Sequence, residues 1–310
     1  MKSYISTICG LVLFGVFSLS RTHAQGHRAI PDDNLAYPVL LMIKESGNGE
    51  KFASGFYVNS GKYIYLATAK HIFFKKSASS YILSATNATC ISYPSDPNDT
   101  GRIELELDLQ ELHKNNLIVH HRIHDAAIVR IADLVPQDDG GPYKMSFVGG
   151  VKKHLSTKSG LVGLDILNTR SFDKVLISND VFLFGYPTSI GIKETAQIDP
   201  QRPLLRKGII AGKNAPKKTI IIDCPTYFGN SGGPVMMVEK VSLTKTEFPI
   251  IGLVSEFVPF KETWVNITHK ISHWEISNSG YSVVTPIDAV IELLPKGGKR
   301  VAQQDESEEN

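Results

Sequence analysis

A serine lies between glycines in Gly229-Asn230-Ser231-Gly232-Gly233-Pro234. Glycine's backbone freedom lets neighbouring N–H groups turn inward beside the hydroxyl. Such a turn can both expose a nucleophile and bind the oxyanion that its attack creates. A serine hydroxyl is a weak nucleophile, so it needs a base, and the base needs an orienting group. Two other segments offer candidates. Leu66-Ala67-Thr68-Ala69-Lys70-His71 puts a histidine at the end of an apolar strand, and Asp125-Ala126-Ala127-Ile128-Val129 puts an aspartate at the start of another.

The elements that must position these residues read as β. Strand candidates lie at 39–43, 52–58, 63–67, 81–84, 90–93, 103–107, 117–120 and 126–131, separated by turn clusters such as Asn59-Ser60-Gly61-Lys62. Short strands at this spacing suggest a barrel or a sandwich. Residues 136–173 are polar, with Asp138-Asp139-Gly140-Gly141-Pro142 and the pair Lys152-Lys153, and read as a connector or insertion. A second strand series follows at 175–177, 181–184, 208–211, 219–222, 235–238, 250–254 and 281–284. One helix is signalled near the end, over 286–294. Thr285 can cap it, Pro286 suits its first position, and Ile287, Val290, Ile291 and Leu294 share one face.

With His71, Asp125 and Ser231 in that chain order, the sequence resembles the trypsin-like (chymotrypsin-fold) serine peptidases. The likeness is strongest to the bacterial branch holding the glutamyl-endopeptidase and HtrA types. The residues that carry it are Ser54-Gly55-Phe56-Tyr57-Val58 with 67–73, then 125–131, then 181–187 ending in Gly185-Tyr186-Pro187, then 223–235. Gly252-Leu253-Val254-Ser255 and 281–286 extend it, so that it spans about 37–295.

The resemblance implies an all-β fold of two six-stranded antiparallel β-barrels with a C-terminal helix. The first barrel would cover about 37–134 and the second about 174–284; the connector or insertion between them, about 135–173, matches nothing in the family. It implies Ser231 as nucleophile, His71 as base and then acid, and Asp125 as the group that holds the His71 tautomer. The N–H groups of Gly229 and Ser231 would form the oxyanion hole. Ser255 and its neighbours would be an edge strand on which a peptide pairs.

Some positions depart from the family's pattern. Lys70 stands where many relatives have a small residue, and a long side chain there can point to solvent. Asn230 replaces the aspartate that pairs with a newly cut N-terminal ammonium, so that mode of activation is not expected. Pro225 stands where trypsin-type enzymes carry an acidic pocket floor, which argues against a preference for Lys or Arg. Thr226 matches a threonine of glutamyl-specific relatives, but the histidine those enzymes use is missing from Ile250-Ile251-Gly252-Leu253-Val254. Phe257 would narrow the entrance, which favours a small or medium apolar side chain before the cleaved bond.

Composition sets the wider limits. The chain has 310 residues, 42% hydrophobic and 21% charged, which excludes wholesale disorder and fibrous structure. Residues 1–24 carry only Lys2 and Arg21 as charges. They hold an apolar run over 8–19 and end with small residues at Thr22 and Ala24, the pattern of a signal peptide cleaved after Ala24. An uncleaved anchor is the alternative, since 3–20 is uncharged and just long enough to span. Without Lys2 and Arg21 the mature chain has 31 basic and 31 acidic residues, giving no electrostatic footprint for nucleic acid or for an anionic membrane.

Cys9 would leave with the signal. Cys90 and Cys224 are read as buried free thiols, with one bridge between them as the alternative. His120, His121 and His124 lack a completing ligand set and are read as surface residues beside Asp125, not as a metal site. Asn87, Asn98 and Asn266 fit the N-glycosylation pattern. Residues 296–310 read as a charged, disordered tail.

The function these features imply is an exported, secreted or periplasmic serine endopeptidase. Its partners are protein or peptide substrates, and it needs no metal or cofactor. A protease-shaped binding module without activity is the alternative, and an esterase would use the same residues.

Overall fold

Strand β1 (Pro38–Glu45) shows how the sequence builds the architecture. Its side chains alternate in direction, as strand geometry requires. Val39, Leu41 and Ile43 enter one hydrophobic core, while Leu40 on the opposite face packs with Ile91, Tyr93 and Tyr186. Both faces of this strand are therefore covered, which is why it reads as an unbroken apolar run.

The computed structural model describes residues 30, 35–47, 49–78, 80–96, 98–137, 143–157, 160–188 and 194–295. The signal peptide expected over 1–24 and the tail expected over 296–310 lie outside these residues, as does Asp138-Asp139-Gly140-Gly141-Pro142.

The first unit contains β1, β2 (Glu50–Asn59), β3 (Tyr63–Thr68), the hairpin β4 (Phe74–Ser77) and β5 (Ser80–Leu83), β6 (Ala85–Ser92) and β7 (Ile103–Asp108). It continues with β8 (Ile118–His120), β9 (Ala127–Val135), β10 (Lys144–Phe147), β11 (Val151–Leu155) and β12 (Gly163–Asp165). Ten of them form one curled sheet in the order β10-β9-β3-β2-β1-β6-β7-β11, with β8 beside β9 and β12 parallel to β2. Helices α1 (Lys70–Phe73) and α2 (Leu109–Lys114) interrupt it.

The second unit is a closed six-stranded barrel, β13-β14-β15-β20-β19-β16. It is formed by β13 (Asp180–Gly185), β14 (Leu204–Asn214), β15 (Thr219–Asp223), β16 (Pro234–Met237), β19 (Ile250–Asn266) and β20 (Ile271–Pro286). A small hairpin, β17 (Glu239–Lys240) and β18 (Thr246–Glu247), sits beside it. The fold is thus all-β, in two units.

Several details differ from the sequence reading. The segment 136–173 does not merely connect: β10, β11 and β12 extend the first sheet by pairing with β9, β7 and β2. The first unit is accordingly larger than a six-stranded ring. Residues 175–177 are not a strand but follow a single turn of 3-10 helix, Phe172–Lys174.

The final helix is shorter than 286–294. As α3 it spans Asp288–Ile291, and Thr285 does not cap it, because Thr285 and Pro286 are the last residues of β20, paired with Leu253 and Gly252. The Asp288 carboxylate instead accepts a hydrogen bond from the Phe172 N–H at 2.8 Å. Ile287, Ala289 and Val290 are buried in the large core built mostly by the first unit, with Phe182, Phe184, Met236, Ile250 and Leu253 of the second. Glu292 meets His121, so the chain returns to the first unit after completing the second.

Strands β19 and β20 also run far past the barrel. Beyond Phe257 and Ser282 they continue as a two-stranded ribbon with register from Pro259↔Asn278 to Asn266↔Ile271, a feature with no counterpart in the sequence reading.

Candidate active site

His71 lies on the single turn α1, directly after the buried strand β3. Ile72 and Phe73 are buried and pin this turn to the core, which leaves His71 as its exposed member, on the cleft. Asp125 lies just before β9. Its Oδ2 is 2.7 Å from His71 Nδ1, and its Oδ1 accepts from the His71 backbone N–H at 3.0 Å. A carboxylate can only accept, so Nδ1 carries the imidazole proton and Nε2 keeps its lone pair. The two-point contact fixes both tautomer and ring orientation.

The loop that holds Asp125 is organised by His121. Its Nδ1 accepts from the N–H groups of Ile123 and His124 at 3.1 and 2.8 Å, and its Nε2 lies 2.9 Å from a Glu292 carboxylate oxygen beside α3. Lys70 does not point to solvent. It is buried, with Nζ donating to the His121 carbonyl at 3.0 Å and lying 4.0 Å over the Tyr81 ring. The carbonyl and the ring replace part of the hydration that a buried ammonium loses.

The three histidines therefore have separate employments. His120 stacks edge-on against Phe74 with centroids 4.6 Å apart. Burial lowers the pKa of His124, with the neighbouring His121 adding to the effect. No group of three His, Cys, Asp or Glu side chains among the described residues is arranged to hold a metal ion. Cys90 and Cys224 are both buried and unbonded, in the separate cores of the two units. Burial raises both thiols, that of Cys224 to about 11.

Ser231 sits in a loop whose carbonyls are turned inward. The Gly229 carbonyl accepts from Ser54 Oγ at 2.7 Å, the Asn230 carbonyl from Gly233 N–H at 2.9 Å, and the Ser231 carbonyl from Ser54 N–H at 2.9 Å. No described residue accepts from the N–H groups of Gly229 and Ser231, and both residues line the cleft. Gly229 has φ +96°, and a Cβ there would lie 2.2 Å from the Tyr186 carbonyl oxygen, so glycine is required twice over. Asn230 is buried, and its amide oxygen accepts from Tyr227 N–H at 2.9 Å, closing the loop from within.

Ser54 is the residue the sequence reading missed. Buried on β2, it donates to Gly229 and accepts from Tyr186 N–H at 3.0 Å, so one side chain of the first unit holds two segments of the second. A serine within the otherwise apolar run 52–58 was the available signal.

His71, Asp125 and Ser231 all line one cleft between the units, of about 1290 Å³. Thr226, Ser255 and Phe257 line it too. Thr226 is buried with its hydroxyl 2.9 Å from Ser282 Oγ, which itself donates to the Cys224 carbonyl at 2.8 Å. Ser282 has one proton and spends it on Cys224, so Thr226 must be the donor to Ser282. The Thr226 hydroxyl thus has no proton left for a ligand carboxylate. Ser255 Oγ is 2.5 Å from Thr285 Oγ1, and Phe257 packs edge-on against Phe228 with centroids 6.1 Å apart.

The profile of the trypsin-like peptidase domain matches residues 53–240, more than half of the chain. No curated protein matches the sequence. Among solved structures, a thermostable serine protease AL20 from an extremophilic microorganism aligns at 13% identity over 84% of this chain and 95% of its own, with a TM-score of 0.48. The protease Anisep from Arthrobacter nicotinovorans aligns at 15% identity over 81% and 90%, with a TM-score of 0.41. The HtrA-type protease AlgW aligns at 13% identity over 83% and 58%, with a TM-score of 0.45. On the domain match, the chain belongs to the trypsin-like peptidase family and is a serine endopeptidase.

Proposed function

We propose that the protein is exported and cleaves protein substrates through a covalent acyl-enzyme, with Ser231 as nucleophile, His71 as base and Asp125 as its orienting partner. The observation that carries this reading is the two-point contact of Asp125 with His71, at 2.7 and 3.0 Å, on the cleft that Ser231 also lines. In the first step His71 Nε2 takes the proton from Ser231 Oγ as that oxygen attacks the peptide carbonyl carbon. The carbonyl π electrons move onto oxygen, and the N–H groups of Gly229 and Ser231 stabilise the resulting oxyanion. The intermediate then collapses, the C–N bond breaks, and the imidazolium gives its proton to the leaving amine. Water, deprotonated by the same imidazole, attacks the acyl carbon and releases Ser231.

Substrate would lie along the edge of β19 at Ser255 and Phe257 by backbone pairing. Thr226, whose proton is committed to Ser282, supports a small or medium apolar side chain before the cleaved bond and not glutamate. Export rests on residues 1–24, with cleavage after Ala24. Among the described residues no helix is long and apolar enough to cross a membrane.

The test is labelling of the chain from Gln25 onward with a fluorophosphonate, beside Ser231→Ala. Stoichiometric labelling of the wild type and none of the variant is expected. A folded wild type that takes up no probe would sink the reading and leave a protease-shaped binding module.

A further inference from the structure

The ribbon formed by β19 and β20 beyond Phe257 and Ser282 has no structural employment. Among the described residues, no strand pairs with the outer edge of Pro259–Asn266 or of Ile271–Asn278. Both tryptophans of the protein are on it, Trp264 at 63% and Trp274 at 59% exposure, and Ile267 at its turn is 86% exposed. Trp264, Ile267 and Ile271 border a shallow pocket near the tip. A concentration of large exposed side chains on unpaired strand edges marks an interaction surface.

Three features choose the occupant. First, the ribbon continues the strand that borders the catalytic cleft: Ser255 and Phe257 line the cleft, and the same strand runs on to Asn266. Its free edge thus extends about 30 Å past the cleft, at about 3.3 Å per residue. Second, residues directly opposite each other share a face, so Phe260, Glu262, Glu275, Trp264 and His273 lie on one side of the ribbon. Glu262 and Glu275 face each other there and have no ion-pair partner among the described residues. Two like charges in register are unfavourable alone and fit a cation brought by a partner. Third, carboxylates set between aromatic side chains do not suit a bilayer, where they would be stripped of water.

We propose that the ribbon is an extended substrate-binding arm. Resting on the proteolytic reading above, it makes the preferred substrate a long, unfolded polypeptide that pairs antiparallel along β19. Such a substrate carries bulky apolar side chains, and a Lys or Arg about seven residues before the cleaved bond, opposite Glu262 and Glu275. Short peptides that end within the cleft make none of these contacts.

Because both tryptophans are on the arm, their emission reports its occupancy directly. The Ser231→Ala chain is titrated with a reduced, alkylated, tryptophan-free protein and with a peptide of four residues before the bond. A blue shift with the first and none with the second is expected. In parallel, Trp264→Ala, Trp274→Ala and a chain with 260–276 replaced by a short turn are assayed on long and short substrates. The ratio of long to short kcat/KM should fall about tenfold in each.

An emission shift on adding lipid vesicles, or with protein concentration alone, overturns the proposal in favour of a membrane or a second copy. An unshifted spectrum with the unfolded protein overturns it too, as does an unchanged ratio. If the wild type cleaves neither substrate, the proteolytic reading has failed, and the emission titration still decides the arm.

Discussion

Replacing Ser54 by alanine removes a hydroxyl that is buried and doubly bonded, 2.7 Å from the Gly229 carbonyl and 3.0 Å from the Tyr186 N–H. Each group would be left unsatisfied in the interior, at about 1–3 kcal/mol apiece, so the folded state should lose about 2–6 kcal/mol. Urea unfolding of Ser54→Ala beside the wild type measures that loss. The kinetic effect follows from what the bond holds. It keeps the Gly229 carbonyl turned inward and thereby fixes the Gly229–Asn230 peptide, which links the two peptides that carry the Gly229 and Ser231 N–H groups. Complete loss of one oxyanion donor costs about 100- to 1000-fold in kcat. Here Asn230 and the contacts between Gly232, Gly233 and Val254 remain, so the loop is loosened and not lost. The rate of fluorophosphonate labelling should fall about 10- to 100-fold, a fraction of the full loss of one donor. KM should change little, because the edge of β19 is untouched. A variant that loses stability but labels within about threefold of the wild type would refute the idea that Ser54 holds the oxyanion loop in its reactive shape.

Two further outcomes follow. The pKa of Glu292 is lowered from its ordinary 4.5, chiefly by its hydrogen bond to His121. A depressed carboxyl stabilises the fold above its unfolded pKa and loses that contribution as pH falls through the folded value. Glu292 is largely solvent-exposed, so the difference between wild type and Glu292→Gln should stay under about 1 kcal/mol, shrink as pH falls below 4.5 and vanish only below the lowered folded value. Equal stability of the two at pH 7 would count against it. Thr226→Val should cost about 1 kcal/mol in urea unfolding through the lost bond to Ser282, and leave the preference between apolar and glutamyl substrates unchanged. A large shift in that preference would mean that the Thr226 hydroxyl meets the substrate directly.

What the sequence made legible was local chemistry. Gly229 and Gly232 both have positive φ, so the motif around Ser231 encodes its own backbone shape and can be read without the rest of the fold. The strands flanking His71 and Asp125 were legible because their apolar runs are buried on both faces. Lys70 was not, because its burial depends on the carbonyl of His121 and the ring of Tyr81, which only the tertiary fold brings together. Strands β10, β11 and β12 were missed because they are short and partly exposed, and take their shape from partners far away in sequence. The ribbon escaped for the opposite reason: with no core on either side, its side chains follow no apolar alternation.

The return of the chain to the first unit bears on the order in which activity can arise. Ile287 and Val290 are fully enclosed in the core that supports His71, and Glu292 reaches the loop that positions Asp125. Burying two such side chains contributes about 3–6 kcal/mol, a large share of a domain's net stability. The half of the site that is synthesised first is therefore the half that finishes last. If the chain is exported as proposed, threaded N-terminus first through a channel, the proposed base and orienting group would be in place only after residue 290 had emerged. Its destructive chemistry would stay silent for the whole of the passage.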